Sequence, residues 1–238
     1  TRLVLRHADL LIAQNEELGL LLGRMSDHPE RVRRIPNGVE LPALDQPDAP
    51  EPHEPFAFTL SNLYRKKGLD VLLDAWSQVI STLPGGHLII AGHGPEEVAL
   101  KLQVRRLGLA EAVTFMGNAR GADKDRLLAS CRVYVSSARR EPFSNALLEA
   151  IAAGCPVVAT RTGGNIEIIE NSGAGELVEA ESAPSLAGAL VRAMRSPRVQ
   201  PPLEERTRRV AKYTIDAMVD AYLASVTEML RRRAGTSG

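Results

Sequence analysis

The chain has 238 residues, which is enough for one large domain or two small ones, with a core that needs no disulfide or metal to hold it together. It contains 29 basic and 29 acidic residues, and the resulting formal net charge of +0 argues against electrostatic binding of nucleic acid. Four phenylalanines, four tyrosines and one tryptophan leave few aromatic platforms on which bases would stack.

The first 35 residues show the pattern of one strand and one helix. "DLLIAQN" (9–15) predicts the strand and "EELGLLLGRM" (16–25) predicts the helix, and "RVRRI" (31–35) follows them. The next stretch, 41–55, is rich in proline and acidic residues and is typical of a linker.

From residue 56 onward, short apolar runs alternate with helical patterns. The predicted strands are "FAFTL" (56–60), "HLIIAG" (87–92), "AVTFM" (112–116), "RVYVS" (132–136), "CPVVAT" (155–160) and "GELVE" (175–179). Helices are predicted at 68–80, near 95–107 and in the later gaps. This alternation predicts an α/β domain over 56–212 with a Rossmann-like, doubly wound parallel sheet. Residues 213–238 read as one long C-terminal helix.

Several features bear on the cellular compartment. Cys131 and Cys155 lie in apolar contexts, which is typical of buried free thiols in a reducing compartment. No run approaches the roughly 18 apolar residues of a membrane span. Arg6, His7 and Asp9 interrupt the first leucines, unlike a signal peptide. We therefore expect a cytoplasmic protein, and because the chain does not begin with methionine we expect a fragment or a processed product.

Small and polar residues follow four of the predicted strands. They occur in "SNLYRKKG" (61–68), "AGHGP" (91–95), "SSARREPFSN" (136–145) and "TRTGGN" (160–165). Each loop alone is ambiguous, because glycines also form ordinary turns and lysines are usually solvated. Since the carboxyl ends of parallel strands share one edge of the sheet, the four loops together favour an anionic ligand there.

Two glutamates flank an uncharged stretch, at Glu141 and Glu149. A helix is expected to begin near Ser144, a good N-cap residue, and to stop before Gly154. Glu149 then lies beyond the first turn among apolar neighbours, where an unpaired buried carboxylate would cost several kcal/mol. We therefore expect Glu149 to face a cleft and to accept hydrogen bonds from neighbouring hydroxyls of a ribose or a sugar. Glu141 would lie closer to the reacting part of that ligand.

"EPFSNALLEAIAAGCPVVATRTGG" (141–164) resembles the donor-site signature of the family-4 retaining glycosyltransferases, which have the GT-B fold. "RKKGLDVLLDAW" (65–76) resembles the family's diphosphate-binding loop and the helix after it, and "AGHGP" and "VTFMGN" follow in family order. "ADLLIAQNEEL" and "IPNGVE" resemble the end of the family's N-terminal domain and the crossing between domains. The resemblance implies the C-terminal half of a GT-B fold, with residues 1–40 as a remnant of the N-terminal domain.

The resemblance also implies roles for individual residues. Lys67 would neutralise the nucleotide diphosphate, Glu149 would bind the ribose hydroxyls, and Glu141 would hold hydroxyls of the transferred sugar. The backbone of Phe143, Ser144 and Asn145 would lie near the sugar and β-phosphate. The remaining candidate donor contacts are Asn62, Arg65, Gly92, Gly94, Gly117 (near the nucleobase), Gly163 and Gly164.

The chain departs from the family pattern in two ways. Ser61-Asn62 stands where many members have Gly-Arg, so the usual arginine partner of the diphosphate is absent, and Arg65 is the candidate replacement. Most of the N-terminal domain is also missing, together with a family histidine that contacts the donor sugar. We therefore expect the chain to bind a nucleoside diphosphate but not to transfer sugar by itself.

The implied reaction moves a sugar from a nucleoside diphosphate such as UDP or GDP to an acceptor hydroxyl, with retention at the anomeric carbon. The donor is a substrate, no further cofactor is expected, and no residues show metal-ligand spacing. The acceptor, whether glycan, lipid or small molecule, is not specified, and in the longer protein a peripheral position at the inner membrane face is compatible. Three alternatives stay open: a glycoside hydrolase using Glu141 and Glu149, a non-catalytic sugar-nucleotide-binding domain, and an epimerase.

Overall fold

The structure is a computed structural model that describes residues 2–40 and 55–235. The chain divides into two compact units. One contains the residues up to Glu40 together with those from Ala211 onward, and the other ends at Val210. The predicted linker at 41–55 lies outside the described residues, except for Pro55.

A parallel sheet of six strands forms the centre of the larger unit. Its strands are β3 (Phe56–Leu60), β4 (His87–Ala91), β5 (Val113–Gly117), β6 (Val133–Ser136), β7 (Val157–Thr160) and β8 (Glu176–Val178). Their order across the sheet is β5–β4–β3–β6–β7–β8, and every neighbouring pair is parallel. Each predicted strand lies within two residues of its predicted ends, which confirms the α/β class and the parallel sheet.

Helices connect these strands and cover both faces of the sheet. They are α3 (Leu69–Thr82), α4 (Glu97–Arg106), α5 (Gly121–Ser130), α6 (Asn145–Ala152), α7 (Gly163–Ser172), α8 (Ala183–Arg195) and α9 (Leu203–Val210). Helix α3 packs against α4 and α8, whereas α6 packs against α5, α7 and α9. The chain first builds the sheet from β3 toward one edge and then from β6 toward the other edge. Because crossovers between parallel strands are right-handed, these two directions place the connecting helices on opposite faces of the sheet.

The core lies where helix α3 covers the sheet. Strand residues such as Phe58, Leu88 and Val135 are fully buried, as expected for a parallel sheet covered on both faces. Trp76 of α3 is also fully buried, and its indole N–H donates to the carbonyl oxygen of Ala112 at 3.1 Å. This hydrogen bond satisfies the polar atom of the largest core side chain.

The strand order creates a switch point between β3 and β6. The chain leaves β3 toward β4 on one side, and β6 begins the series on the other side. The loops that follow these two strands therefore diverge and leave a crevice between them, which is where open α/β sheets bind ligands. The loop after β3 carries Lys67, and the loop after β6 carries Glu141.

The smaller unit combines the first and last segments of the chain. Its elements are α1 (Arg2–His7), β1 (Leu11–Ala13), α2 (Glu16–Met25), β2 (Val32–Arg34) and α10 (Ile215–Gly235). Strands β1 and β2 pair in parallel, and Asn15 caps α2 by accepting from the backbone N–H of Leu18 at 2.7 Å. Among all the helices within the two described ranges, none is both long and apolar enough to cross a bilayer.

Candidate functional site

The loop after β3 is held in place by the loop after β6. Residues Arg65–Lys67 form one 3-10 turn, and their carbonyl oxygens accept hydrogen bonds from the segment 137–140. The Arg139 guanidinium donates to the carbonyl of Arg65 at 2.8 Å, the Arg139 backbone N–H donates to the carbonyl of Lys66 at 2.9 Å, and the Ser137 hydroxyl donates to the carbonyl of Lys67 at 2.9 Å. These three bonds fix the backbone that carries Lys67.

Gly68 closes the same turn in a conformation that favours glycine. Its φ is +63°, and a Cβ at this position would lie 2.1 Å from the carbonyl oxygen of Ser137. The two loops can approach this closely only because the side chain is absent.

Arg139 links three elements at this edge of the sheet. Its Nη1 and Nη2 donate to the two carboxylate oxygens of Asp70 at 2.7 and 2.8 Å, and its Nε donates to Glu181 at 2.6 Å. The hydrogen bond from Arg139 lowers the pKa of Asp70, and the same bond raises the pKa of Arg139. Glu181 is held at φ +58°, a left-handed conformation that is uncommon for residues other than glycine.

Lys67 and Glu141 meet at the switch point. The Lys67 ammonium contacts Oε2 of Glu141, and the two side chains are 19% and 6% exposed. The predicted diphosphate-binding lysine and the predicted sugar-binding glutamate thus form an ion pair in a largely buried setting. This contact places a positive and a negative group side by side at the carboxyl ends of the strands, where open α/β sheets bind ligands.

The first turn of α7, which begins with two glycines, supports Glu141 from the other side. The Gly164 N–H donates to the carbonyl oxygen of Glu141 at 2.8 Å. A Cβ on Gly164 would lie 2.5 Å from the carbonyl oxygen of Pro142, and Gly163 adopts a φ of +39°. These two glycines therefore let the helix start pack directly on the backbone of the glutamate.

The loop after β4 is joined to the loop after β3 in the same manner. Cβ atoms on Gly92 and Gly94 would lie 1.9 Å from the Ser61 carbonyl oxygen and 2.4 Å from the Leu63 carbonyl oxygen. The Gly92 N–H also donates to the carbonyl of Gly117 at 2.7 Å. The predicted donor-site glycines therefore lie in one connected layer of loops.

Helix α6 begins where the sequence predicts it. The hydroxyl of Ser144 accepts from the backbone N–H of Leu147 at 3.3 Å, so Ser144 is the N-cap. Phe143 is buried and Asn145 is exposed on either side of it. Because a helix N-terminus carries a partial positive charge, the segment 143–145 presents a favourable setting for an anion.

Glu149 has a partner that sequence reasoning missed. Its Oε1 lies 2.9 Å from Nζ of Lys124 on α5, and the glutamate and lysine side chains are 26% and 23% exposed. The expectation that this carboxylate needs a polar partner is met by a lysine of the chain itself. Lys124 is the fourth residue of α5, and its charged neighbours in the sequence are typical of an exposed helix face. The local sequence therefore did not indicate that Lys124 pairs with Glu149.

Other members of the site also escaped the sequence analysis. Arg139 lies within the loop "SSARREPFSN" (136–145), and the available signal was a charged residue three positions after the end of a buried strand. Tyr134 of β6 lies under the site, where its hydroxyl donates to the carbonyl oxygen of Leu60 at 3.3 Å. Burial, and then the charge of Glu141, raise the pKa of Tyr134, so it stays a neutral phenol.

Two predicted residues lie outside this network. The side chains of Asn62 and Arg65 are exposed and make no hydrogen bond or ion pair with any described residue.

Within the described part of the chain, no group of three or more His, Cys, Asp or Glu side chains is placed to hold a metal ion.

A family model described as "Glycosyl transferases group 1" matches residues 43–214. The chain is 30% identical over 203 residues to the phosphatidyl-myo-inositol mannosyltransferase of Mycobacterium leprae, covering 83% of this chain and 48% of that protein. It is 32% identical over 143 residues to a GDP-mannose-dependent alpha-(1-6)-phosphatidylinositol monomannoside mannosyltransferase of Mycobacterium tuberculosis, covering 57% of this chain and 37% of that protein. The chain thus spans about half or less of the length of these curated relatives.

Solved structures show the same fold. The structure of Anabaena Alr3699/HepE in complex with UDP and glucose matches with a TM-score of 0.81 at 22% identity, covering 94% of this chain and 64% of that chain. This likeness and the parallel sheet confirm the prediction of a GT-B-type, Rossmann-like domain.

Proposed function

Because the chain belongs to the group 1 glycosyl transferases, we propose that it is the donor-binding part of an enzyme that moves a sugar from a nucleoside diphosphate to an acceptor hydroxyl. The observation that carries the proposal is the contact between Lys67 and Glu141 at the switch point of the sheet. Two similar proteins favour a nucleoside diphosphate sugar as the donor: one relative is GDP-mannose-dependent, and one structural neighbour was solved with UDP and glucose.

In this proposal, the diphosphate lies between Lys67 and the N-terminus of α6. The hydrogen-bonded turn fixes the backbone that carries Lys67, and the ammonium rests against Glu141, so little backbone reorganisation is needed when the ligand binds. The backbone of Phe143, Ser144 and Asn145 lies at the β-phosphate and sugar. Glu141 holds sugar hydroxyls, and Glu149 accepts from the ribose hydroxyls.

A nucleoside diphosphate is already a good leaving group, so positioning and charge stabilisation are the main contributions of the protein. As the bond between the anomeric carbon and the diphosphate oxygen breaks, negative charge grows on the diphosphate. We propose that Lys67 and the α6 dipole, rather than a metal ion, stabilise this charge. Transfer proceeds with retention at the anomeric carbon, and the acceptor hydroxyl passes its proton to an oxygen of the departing diphosphate as the new bond forms.

We further propose that polypeptide beyond these 238 residues binds the acceptor, so that the chain alone does not turn over a donor. Its relatives are about twice as long, which supports this division. Helix α10 of the smaller unit also exposes apolar side chains, among them Leu223 at 61% and Leu230 at 55%, which further polypeptide would cover. Two relatives are mannosyltransferases named for phosphatidylinositol or a mannoside of it, so a lipid is the first acceptor class to test.

Isothermal calorimetry with UDP, GDP and ADP tests the donor site directly. We expect one of them to bind, and Lys67→Met to weaken it about 10- to 150-fold, because a hydrogen bond to a charged group contributes roughly 1.5–3 kcal/mol. Lys66→Met is the matched control, since Lys66 is the exposed neighbour on the same turn. Absence of binding for all three nucleotides would refute the proposal. Hydrolysis of an aryl glycoside, unaffected by nucleotides, would instead favour a glycoside hydrolase.

A further inference from the structure

The environment of Glu149 contains a feature that the proposed ribose contact does not explain. Glu149 lies in the middle of α6, next to the buried residues Leu148 and Ala150, and keeps only 26% of its side chain exposed. A carboxylate in such a place needs a hydrogen-bonding or ionic partner even when no ligand is bound. Lys124 supplies it through the 2.9 Å contact between its Nζ and Oε1 of Glu149.

Lys124 is held toward this partner by the packing of its helix. It lies in the first half of α5, which packs against α6, and only 23% of its side chain is exposed. Within the described ranges its other ion-pair partner is Asp125, whose Oδ1 is 3.9 Å from Nζ, at the outer limit of an ion pair. The ammonium is therefore committed mainly to Glu149.

The contact occupies one of the two carboxylate oxygens. Oε1 of Glu149 lies at the ammonium, whereas Oε2 has no hydrogen-bond partner among the described residues. A carboxylate accepts through both oxygens, so the second oxygen keeps its capacity to accept from a hydroxyl. A glutamate side chain has three rotatable bonds, and a cation that holds one oxygen fixes the direction in which the other points.

We propose that Lys124 is a positioning residue of the nucleotide site: it holds Glu149 through Oε1 and so aims Oε2 at the ribose hydroxyls of the donor. The inference rests on the proposed function, in which Glu149 recognises the ribose. It adds that ribose recognition depends on a charge carried by α5, outside the segment that contains both glutamates. Lys124 does not itself contact the ribose in this arrangement.

The test compares each nucleoside diphosphate with its 2′-deoxy and 3′-deoxy analogues by calorimetry on the 238-residue chain. The wild-type chain is expected to prefer the ribonucleotide about tenfold or more, as for a lost hydrogen bond to a charged group. Lys124→Met should reduce this preference at least threefold, and Lys124→Arg should restore it. Lys101→Met is the matched control, because Lys101 pairs with Glu97 at 2.6 Å on α4. It should leave the preference unchanged.

The remaining outcomes separate the two proposals. If Lys124→Met weakens the ribonucleotide and the deoxynucleotides by the same factor, or changes none of them, the positioning role is wrong while the donor site stands. If the wild-type chain binds no nucleoside diphosphate, both proposals fail. Lys124→Gln repeats the comparison should the methionine variant not fold, as judged by its unfolding midpoint.

Discussion

Replacement of Asp70 by asparagine tests the anchor that holds the site loops together. Arg139 donates to both oxygens of Asp70, at 2.7 and 2.8 Å, and asparagine retains one acceptor but loses the second oxygen and the charge. A hydrogen bond to a charged group contributes roughly 1.5–3 kcal/mol, and solvent screening weakens exposed pairs. Because the Asp70 side chain is 36% exposed and that of Arg139 is 19% exposed, we expect a loss at the lower end, about 1–1.5 kcal/mol.

The contribution of the Asp70 carboxylate to the free energy of unfolding should depend on pH. The pKa of Asp70 is lowered in the folded chain by its hydrogen bond from Arg139, so its contribution to stability is present above the unfolded pKa of about 3.9. It is lost as the pH falls through the lower, folded value. The difference in unfolding free energy between wild type and Asp70→Asn should therefore shrink from pH 7 to pH 3.

Urea unfolding followed by circular dichroism at both pH values measures this difference. Asp74→Asn is the matched control on the same helix, because Asp74 is exposed and its carboxylate accepts a single hydrogen bond from the described residues, from Gln103 at 2.8 Å. We expect it to cost less than about 0.5 kcal/mol, as for other surface substitutions. Equal losses for the two variants, or a loss for Asp70→Asn that is as large at pH 3 as at pH 7, would refute the reasoning.

Three further predictions concern single positions. If Arg65 replaces the family arginine that this chain lacks at Asn62, Arg65→Ala should weaken nucleoside diphosphate binding about tenfold in calorimetry; an unchanged affinity would contradict this role. Gly164→Ala should lower the unfolding free energy by about 1–3 kcal/mol, because the added Cβ would meet the Pro142 backbone at 2.5 Å; an unshifted unfolding curve would contradict it. Cys131 and Cys155 are buried, and burial raises the pKa of the Cys131 thiol, so a disulfide reagent should modify them only as the chain unfolds. Modification within seconds in native buffer would refute that.

Much of the fold follows from signals that act over a few residues. Short continuous apolar runs, separated by helical patterns, predicted all six strands of the large sheet, since a parallel strand covered on both faces is apolar along its length. Ser144 marked the start of α6 because its hydroxyl satisfies a helix N–H three residues away. The cost of burying a charge also showed that Glu149 required a polar partner.

Only the tertiary structure decided which side chains meet. Lys67 and Glu141 lie 74 positions apart, and Asp70 and Arg139 lie 69 positions apart. Both contacts exist because β3 pairs with β6 across the switch point, a choice of strand order that the alternation of strands and helices leaves open. The partner of Glu149 was hidden for the same reason: Lys124 has no distinguishing local pattern, and it reaches the carboxylate only because α5 packs on α6. Periodicity and capping are properties of short segments, whereas the ion pairs of the site arise from the packing of distant ones.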